Sequence, residues 1–190
     1  MVTIREERIA DVAARDALLD KAYGGARFAK TSERLREGRC PASRLSLVAV
    51  DHCQIVGTVR LWNVEAGPGH DALLLGPLAV DPDYRNRGVG TALLRRAIAR
   101  ARLAGHGAIL LVGDAAYYGR FGFSAALTSN IWMLGEYERD RLLALELKPG
   151  ALADARGPIS AKVTAMAKAD SNTGIAVRRG KRRALLQHAA

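Results

Sequence analysis

The chain has 190 residues, of which 49% are apolar and 25% are charged, and its formal net charge is +10. This composition is typical of a folded protein and excludes global disorder, and the length suits one well-buried core better than two. No apolar stretch approaches the roughly 20 residues needed to cross a bilayer, and the charged N-terminus lacks a signal-peptide pattern, so we expect a cytoplasmic protein.

The first part of the chain predicts two helices and a β-hairpin. A short strand in TIREER precedes a helix from about Ile9 to Ala22, and a shorter helix covers Ser32 to Glu37. The segments LSLVAV and QIVGTVRLW are rich in β-branched and apolar residues, which is typical of strands. Asp51 and His52 between them predict a tight antiparallel connection.

The second part predicts a strand–helix–strand unit followed by further strands. ALLLGPLAV indicates a buried strand that bulges or leaves a neighbour at Gly76 and Pro77, because proline cannot donate to a sheet ladder. A helix from about Val89 to Ala104, a strand at 108–113 and a short helix through Tyr118 follow. We predict the last two strands at Ile131 to Leu134 and Leu142 to Leu147. This order indicates a mixed α/β sheet.

The positive charge is concentrated near the C-terminus. Residues 161–190 hold seven lysines and arginines against Asp170, a charge of +6, which leaves +4 for the rest of the chain. Apolar periodicity fades there, so we predict a domain at 1–160 and a basic extension at 161–190, disordered apart from a short helix at Ala184 to His188. Such a cluster can bind nucleic acid or acidic partners, although a solvated extension is the simpler interpretation.

A glycine-rich segment between a buried strand and an amphipathic helix has the features of an anion site. The first N–H groups of a helix lack internal partners, and the helix dipole places partial positive charge there. Gly88 and Gly90 remove side chains that would hold an anion away, and Arg85 and Arg87 add charge. We therefore predict a phosphate or pyrophosphate site formed by Arg85, Asn86, Arg87, Gly88, Val89, Gly90 and Thr91.

Other phosphate motifs fit this chain less well. A dinucleotide-binding G-x-G-x-x-G pattern would need a third glycine where Leu93 stands. A Walker A pattern at 174–181 has one residue too many between its glycines, and Arg182 stands where serine or threonine is required.

The pattern Arg85-x-x-Gly88-x-Gly90 resembles the acyl-CoA pyrophosphate loop of the GNAT N-acetyltransferases. PLAVDPDYRNRGVGTALL is similar to the fourth strand, loop and third helix of that family, and DAAYYGRFGF is similar to its second signature. With the order of elements, the resemblance covers about residues 2–160. It implies the GNAT fold, with a largely antiparallel mixed sheet that has flanking helices and is splayed at the cofactor site.

The resemblance also implies roles for particular residues. The strand matching Leu78, Ala79 and Val80 offers backbone groups to the pantetheine arm of acetyl-CoA, and the 85–91 loop holds its pyrophosphate. The tyrosine matching Tyr118 protonates the departing thiolate. A phenol is chemically suited to this step, because it supplies a proton without carrying permanent charge in an apolar site.

Several candidate groups have no assigned role. A free amine must lose a proton before it attacks, and Glu65, Asp81 and Asp83 are candidate bases that the sequence does not rank. Cys40 and Cys53 match no metal-ligand spacing and are interpreted as buried or idle thiols. No metal site is predicted.

The sequence thus favours a cytoplasmic acetyl-CoA-dependent N-acetyltransferase that acts directly on an amine without a covalent enzyme intermediate. The alternative is a non-catalytic acyl-CoA-binding or regulatory module with the same pocket. The acceptor remains open between small amines, peptide N-termini and protein lysines, and no membrane partner is expected. Nucleic-acid binding is expected at most through the basic extension, and the oligomeric state, a homodimer included, is undetermined.

Overall fold

The computed structural model describes residues 1–25, 28 and 30–162. The strands are β1 (Thr3–Glu6), β2 (Ser46–Asp51), β3 (Gln54–Ala66), β4 (Asp71–Val80), β5 (Ala108–Val112), β6 (Ile131–Trp132), β7 (Leu142–Glu146) and β8 (Gly157–Ala161). The α-helices are α1 (Val12–Tyr23), α2 (Thr31–Arg34), α3 (Val89–Leu103) and α4 (Ala115–Gly119). The predicted helix at Ala184 to His188 and nearly all of the basic extension lie outside the described residues.

The sheet is mixed and largely antiparallel, as predicted. Its strand order is β1-β2-β3-β4-β5-β7, and β8 pairs both with the far end of β3 and with β6. Along that main path only the β4–β5 pair is parallel, and it is joined through the long crossover helix α3. The polypeptide between β4 and β5 therefore carries α3 across one face of the sheet.

Two apolar layers cover the sheet. Leu93, Leu94 and Ala97 of α3 are fully buried and pack against side chains such as Leu61 and Leu73 on one face. Because side chains alternate along a strand, neighbours such as Leu74 contribute to the opposite face, where the segment around β6 and β8 packs. Helix α1 packs against another part of the sheet, where Leu18 and Leu19 lie against Ala79 of β4.

The predicted irregularity of the fourth strand is confirmed. Val59 pairs with Leu78 and Leu61 pairs with Leu75, so Gly76 and Pro77 together oppose a single residue of β3. This is a β-bulge, and Gly76 occupies it with a φ of +131°, a conformation that residues with side chains rarely adopt.

Several predicted boundaries were wrong. A 3-10 turn at Ile9–Asp11 precedes α1, and Ile9, which was predicted on the apolar face, is 94% exposed. The helix buries Arg15 in an ion pair with Glu7. The second helix ends at Arg34, and the hairpin turn is His52–Cys53, both with positive φ, one residue later than predicted.

The C-terminal strands also differ from the prediction. Strand β6 has only two residues, and β7 is not the last strand, because β8 follows at Gly157–Ala161. A glycine and a proline open β8 and hide its strand character in the sequence. Since Val64 pairs with Ala161, the sheet runs one residue past the predicted domain boundary at 160.

Candidate functional site

A gap opens in the middle of the sheet between β4 and β5. The two strands pair only at Leu73–Ile109 and Leu74–Leu110. Beyond those pairs β4 continues along β3, whereas β5 continues along β7. The sheet is therefore splayed from about Leu75 onward, which is the geometry that the resemblance implied.

The register of β4 decides which backbone groups face this gap. The Asp81 N–H donates to the Val56 carbonyl over 2.9 Å, and Ala79 lies two residues earlier, opposite Thr58. Backbone groups alternate in direction along an antiparallel strand, so those of Ala79 face β3 whereas those of Leu78 and Val80 face the gap. Of the three predicted strand residues, Ala79 alone has its peptide groups committed to the sheet.

Two backbone acceptors of β4 are already used by side chains. The Tyr23 hydroxyl, at the end of α1, donates to the Leu78 carbonyl. The indole N–H of Trp62 donates to the Gly76 carbonyl over 2.6 Å. A ligand lying along β4 would therefore compete with Tyr23 for the Leu78 carbonyl, whereas the groups of Val80 carry no such side-chain bond among the described contacts.

The predicted anion loop leads from β4 into α3. The Asp81 carboxylate accepts the N–H of Asp83 over 3.0 Å and fixes the turn at Pro82–Tyr84. Gly88 is the N-cap of α3 with a φ of +78°, and no side chain caps the helix there. The first N–H groups of this 15-residue helix are thus left for a ligand, as the sequence predicted.

A pocket lies over the N-terminus of α3. Its walls are formed by the loop and by two residues of the following signature, and they comprise Val80, Tyr84, Arg85, Asn86, Gly88, Val89, Gly90, Thr91, Tyr117 and Arg120. Of the predicted loop residues, only Arg87 is outside this set; its guanidinium lies 5.2 Å from the centre of the Tyr84 ring.

Two side chains lie close to Gly90 in this pocket. A Cβ atom there would be 3.2 Å from the Tyr117 hydroxyl and 3.4 Å from a methyl group of Val80. The Arg120 guanidinium covers the Tyr117 ring at 4.7 Å and donates to the Tyr117 carbonyl over 3.2 Å. Tyr117 and Arg120 had no predicted role, although both lie within the second signature.

Tyr118 lines a second pocket, the gap pocket, which lies in the gap between β4 and β5. Helix α4 is capped by Asp114, whose carboxylate accepts the Ala116 N–H over 2.9 Å. The Tyr118 ring fills the space over Gly113, where a Cβ atom would collide with it, and meets Phe123 edge-on at 5.9 Å. Burial raises the pKa of the Tyr118 phenol well above its usual range, and the neighbouring tyrosines Tyr23 and Tyr117 act in the same direction.

The gap pocket has one polar wall, contributed by the α1–α2 region. Leu75, Gly76, Pro77, Leu78, Leu111, Val112 and Tyr118 form the sheet side, and Tyr23, Lys30, Ser32, Glu33 and Arg36 form the polar side. No local motif indicates that the polar residues share a site, because they lie about 40 or more positions along the chain from the sheet residues they face.

The gap pocket and the loop pocket, which is the pocket over the N-terminus of α3, lie one after the other along β4. Leu78 lines the first and Val80 the second, and consecutive tyrosines divide in the same way, with Tyr118 in the gap and Tyr117 at the loop. An extended ligand with an anionic end at α3 and a reactive end beside Tyr118 fits this line. The missing Cβ at Gly90 and the unpaired β4 edge are the features that admit it.

The three candidate bases lie away from the gap pocket. Asp81 is ion-paired with Lys21 at 3.0 Å, and although burial favours its neutral form, the Asp83 N–H and Lys21 hold its pKa below the usual value. The Asp83 side chain is 82% exposed, and Glu65 pairs with Asp71 at the opposite end of β4. Among the lining residues of the gap pocket, Glu33 is the carboxylate.

The cysteines, possible metal ligands and helix lengths complete the comparison with the sequence-based expectations. Cys40 and Cys53 are both free and exposed, so of the two predicted alternatives, buried or idle thiols, burial was wrong and idle thiols stays a prediction. Within the described part of the chain, no group of three or more His, Cys, Asp and Glu side chains is arranged to hold a metal ion. None of the helices in that part is long and apolar enough to span a membrane.

Comparison with known proteins gives consistent matches. The acetyltransferase (GNAT) domain family matches residues 42–125. YhbS of Escherichia coli K12, an uncharacterized N-acetyltransferase, is 36% identical over 126 residues, which are 65% of this chain and 74% of that protein. A second uncharacterized N-acetyltransferase of the same strain, YjhQ, is 34% identical over 54% of this chain and 59% of its own length.

Two solved structures share the arrangement of elements. The crystal structure of YhbS from Escherichia coli in complex with CoA has a TM-score of 0.73 and 28% identity, covering 85% of this chain and 89% of that one. A GNAT family acetyltransferase from Brucella melitensis in complex with acetyl-CoA has a TM-score of 0.64 and 26% identity, covering 86% and 97%. Both were crystallised with a form of the coenzyme.

Proposed function

This chain belongs to the GNAT acetyltransferase family, and from that premise we propose that it transfers the acetyl group of acetyl-CoA directly to an amine. One observation carries the proposal: a single line runs from the uncapped N-terminus of α3, along the open edge of β4, to the Tyr118 side chain. That line has an anion site at one end and a proton donor at the other. The coenzyme complexes of YhbS and the Brucella protein support the same ligand here.

The residues at the loop would hold the coenzyme. The N–H groups that begin α3 and the arginine side chains Arg85 and Arg120 would bind the pyrophosphate, and Gly90 leaves the space for it. The gap-facing groups of Leu78 and Val80 would bond the amides of the pantetheine arm as a strand would. The coenzyme then supplies an activated thioester beside the bulge at Gly76.

The chemistry requires one proton to be supplied and another removed. The amine nitrogen forms a bond to the acetyl carbon, the carbon–sulfur bond breaks, and the thiolate receives a proton from the Tyr118 hydroxyl. The raised pKa of Tyr118 keeps that proton available at neutral pH. The nitrogen gives up its own proton, for which Glu33 is the carboxylate in the pocket wall.

The test compares the two adjacent tyrosines. Thiol release from acetyl-CoA is followed with a panel of amines, and coenzyme affinity is measured by calorimetry for Tyr118→Phe and Tyr117→Phe. We expect Tyr118→Phe to lower kcat about 100-fold with little change in affinity, and Tyr117→Phe to weaken coenzyme binding with a smaller effect on kcat.

Three results would change this proposal. Coenzyme binding without thiol release for any amine would favour the non-catalytic binding module. Equal turnover of Tyr118→Phe and the unmodified chain would remove Tyr118 from the mechanism. Absence of coenzyme binding by the folded protein would exclude both the enzyme and the binding module.

A further inference from the structure

Arg36 occupies an unusual position in the polar wall of the gap pocket. Its side chain is 9% exposed, and one terminal nitrogen of the guanidinium lies 2.8 Å from the position that a Cβ atom would take on Gly76. The arginine therefore lies against the bulge of β4, where the reactive end of the coenzyme is expected.

The hydrogen-bonding capacity of Arg36 is poorly used. Its Nη1 donates to Glu33 Oε2 over 3.2 Å, whereas Nε is buried without a hydrogen-bond partner in the described part of the chain. A guanidinium has five N–H donors, and burying it with so few acceptors carries a large desolvation cost. That cost also appears as a lowered pKa of Arg36, with burial as the main cause.

Arg15 shows how a structural buried arginine is paired in the same protein. The Arg15 Nε, like that of Arg36, is buried without a hydrogen-bond partner in the described part of the chain, so the two arginines differ only at their terminal nitrogens. Nη1 of Arg15 lies 3.3 Å from Glu7 and its Nη2 lies 3.0 Å from Asp16, so both ends of the fork meet a carboxylate. Arg36 meets one carboxylate at one end, and its other end faces a pocket. The comparison indicates that Arg36 is arranged for a second anionic partner that the protein itself does not provide.

The coenzyme phosphates are an unsuitable partner for Arg36. Gly76 precedes Val80, where β4 reaches the anion loop, by four residues, which in an extended strand is roughly 13 Å. The phosphate end and the Arg36 end of the line are therefore separate. The acceptor is the other molecule that enters this pocket, so it is the candidate source of an anion for Arg36.

We propose that the acceptor is a small molecule with a carboxylate as well as a primary amine, and that Arg36 binds the carboxylate. The proposal rests on the acetyltransferase function proposed above. Lys30 and Arg36 against Glu33 give the polar wall a net charge of +1, which suits an anionic group. Glu33 beside Arg36 then faces the amine, so the adjacent Arg36 and Glu33 match the carboxylate and the amine of an amino acid.

The experiment uses matched acceptor pairs. Thiol release from acetyl-CoA is measured for a panel of L-amino acids and the carboxamide of each, which retains the amine but lacks the carboxylate. We expect kcat/KM to be at least tenfold higher for the best acid than for its amide. This preference opposes the intrinsic trend, because the amide form has the less basic amine and more of it is unprotonated.

Variants then connect the preference to Arg36. Arg36→Gln should bring the ratio of kcat/KM for the acid to kcat/KM for its amide close to one, mainly by raising KM for the acid. Arg36→Lys should retain part of the preference. Arg34→Gln, which changes an exposed arginine at the end of α2, two residues before Arg36, is the matched control and should behave like the unmodified chain. Coenzyme binding by calorimetry and a thermal unfolding curve confirm that each variant is folded.

Several outcomes would overturn the inference. Equal kcat/KM for acids and amides in the unmodified protein would do so even if Arg36→Gln does not fold. Equal losses on acid and amide in Arg36→Gln would assign Arg36 a purely structural role.

Failure of the proposed acetyl transfer gives a different result. If no amine releases thiol, amino acids and amides are tested for stabilisation of the coenzyme-saturated protein in thermal unfolding. Stabilisation by an acid that is lost in Arg36→Gln would support the carboxylate site without transfer, and no stabilisation by any acid would refute the site.

Discussion

Tyr118 is held in surroundings that favour its protonated form. Burial beneath the gap pocket raises the pKa of its phenol above the ordinary value of about 10, so the hydroxyl remains a donor throughout the neutral and moderately alkaline range. We therefore expect kcat, measured between pH 6 and about pH 10, to show no descending limb from loss of this proton. A limb in that range that disappears in Tyr118→Phe would contradict the assigned environment.

Asp11 offers a test of residue-level electrostatics away from the site. Arg5 donates two hydrogen bonds to it, at 2.5 and 2.9 Å, and the Arg8 N–H donates a third at 2.7 Å. The Arg5 hydrogen bond is the largest cause that lowers the pKa of Asp11 to about 2 from 3.8. A lowered folded-state pKa stabilises the protein above the unfolded value, and this stabilisation is lost as the pH falls.

Asp11→Asn should therefore lower the free energy of unfolding by about 1 kcal/mol at pH 7, a value reduced for the partial exposure of Arg5. The difference from the unmodified chain should shrink between about pH 4 and pH 2, as measured by urea unfolding at each pH. A difference that stays constant over that interval would show that the carboxylate charge is not responsible.

Helix α3 places one apolar face on the sheet, and its stability depends on that face. Leu93 is fully buried and contacts the backbone at Gly57, whereas Leu103, near the end of the same helix, is 88% exposed. We expect Leu93→Ala to lower the free energy of unfolding by about 2–5 kcal/mol and Leu103→Ala to change it by less than about 0.5 kcal/mol. Similar urea midpoints for both variants would contradict this packing.

Elements whose signal is local were predicted from the sequence, and those that depend on distant contacts were not. Periodicity and capping located α3 almost to the residue, and the proline at position 77 indicated the bulge. Strand β8 was missed because its five residues form a strand only by pairing with β3 and β6. The family assignment and the GNAT fold were predicted and are confirmed.

The site was predicted only in part for the same reason. The anion loop and Tyr118 lie in continuous motifs that the sequence displays directly. Glu33 in α2 and Arg36 just after it belong to the site only because this polar segment folds against the bulge of β4, about 40 residues further along the chain. The roles of the loop residues and of Tyr118 stay predictions until binding and turnover are measured.

The molecule as a whole should become more stable when the coenzyme fills the gap. A ligand at 100 times its Kd stabilises the folded state by about 2.7 kcal/mol, which for a chain of this size raises Tm by about 5–10 °C. We expect this shift with acetyl-CoA in thermal unfolding, and a smaller shift for Gly90→Ala, in which a methyl group would face the Tyr117 hydroxyl at 3.2 Å. No shift in the unmodified protein would count against coenzyme binding.

We expect the basic extension to be dispensable for coenzyme binding and acetyl transfer. The residues that line the gap and loop pockets all lie between Tyr23 and Arg120, and Lys162 is joined to Asp71 by an ion pair at 2.5 Å, so truncation is best made after Lys162. We expect truncation to leave thiol release within about twofold, since it removes no lining residue. Any affinity of the full chain for duplex DNA should fall steeply with salt, and truncation should abolish it. Affinity that survives truncation would exclude the extension as its source.

The parting of β4 from β5 has a consequence for solubility. An unpaired strand edge is a template on which a second chain can add a strand, and proteins normally cover or obstruct such edges. Here the unpaired edge of β4 faces the gap inside the molecule. The Tyr23 hydroxyl donates to the Leu78 carbonyl on that edge, and Arg36 lies against Gly76. An approaching copy would meet these side chains before any backbone, so a fold that keeps an edge open for a slender ligand also protects it from aggregation.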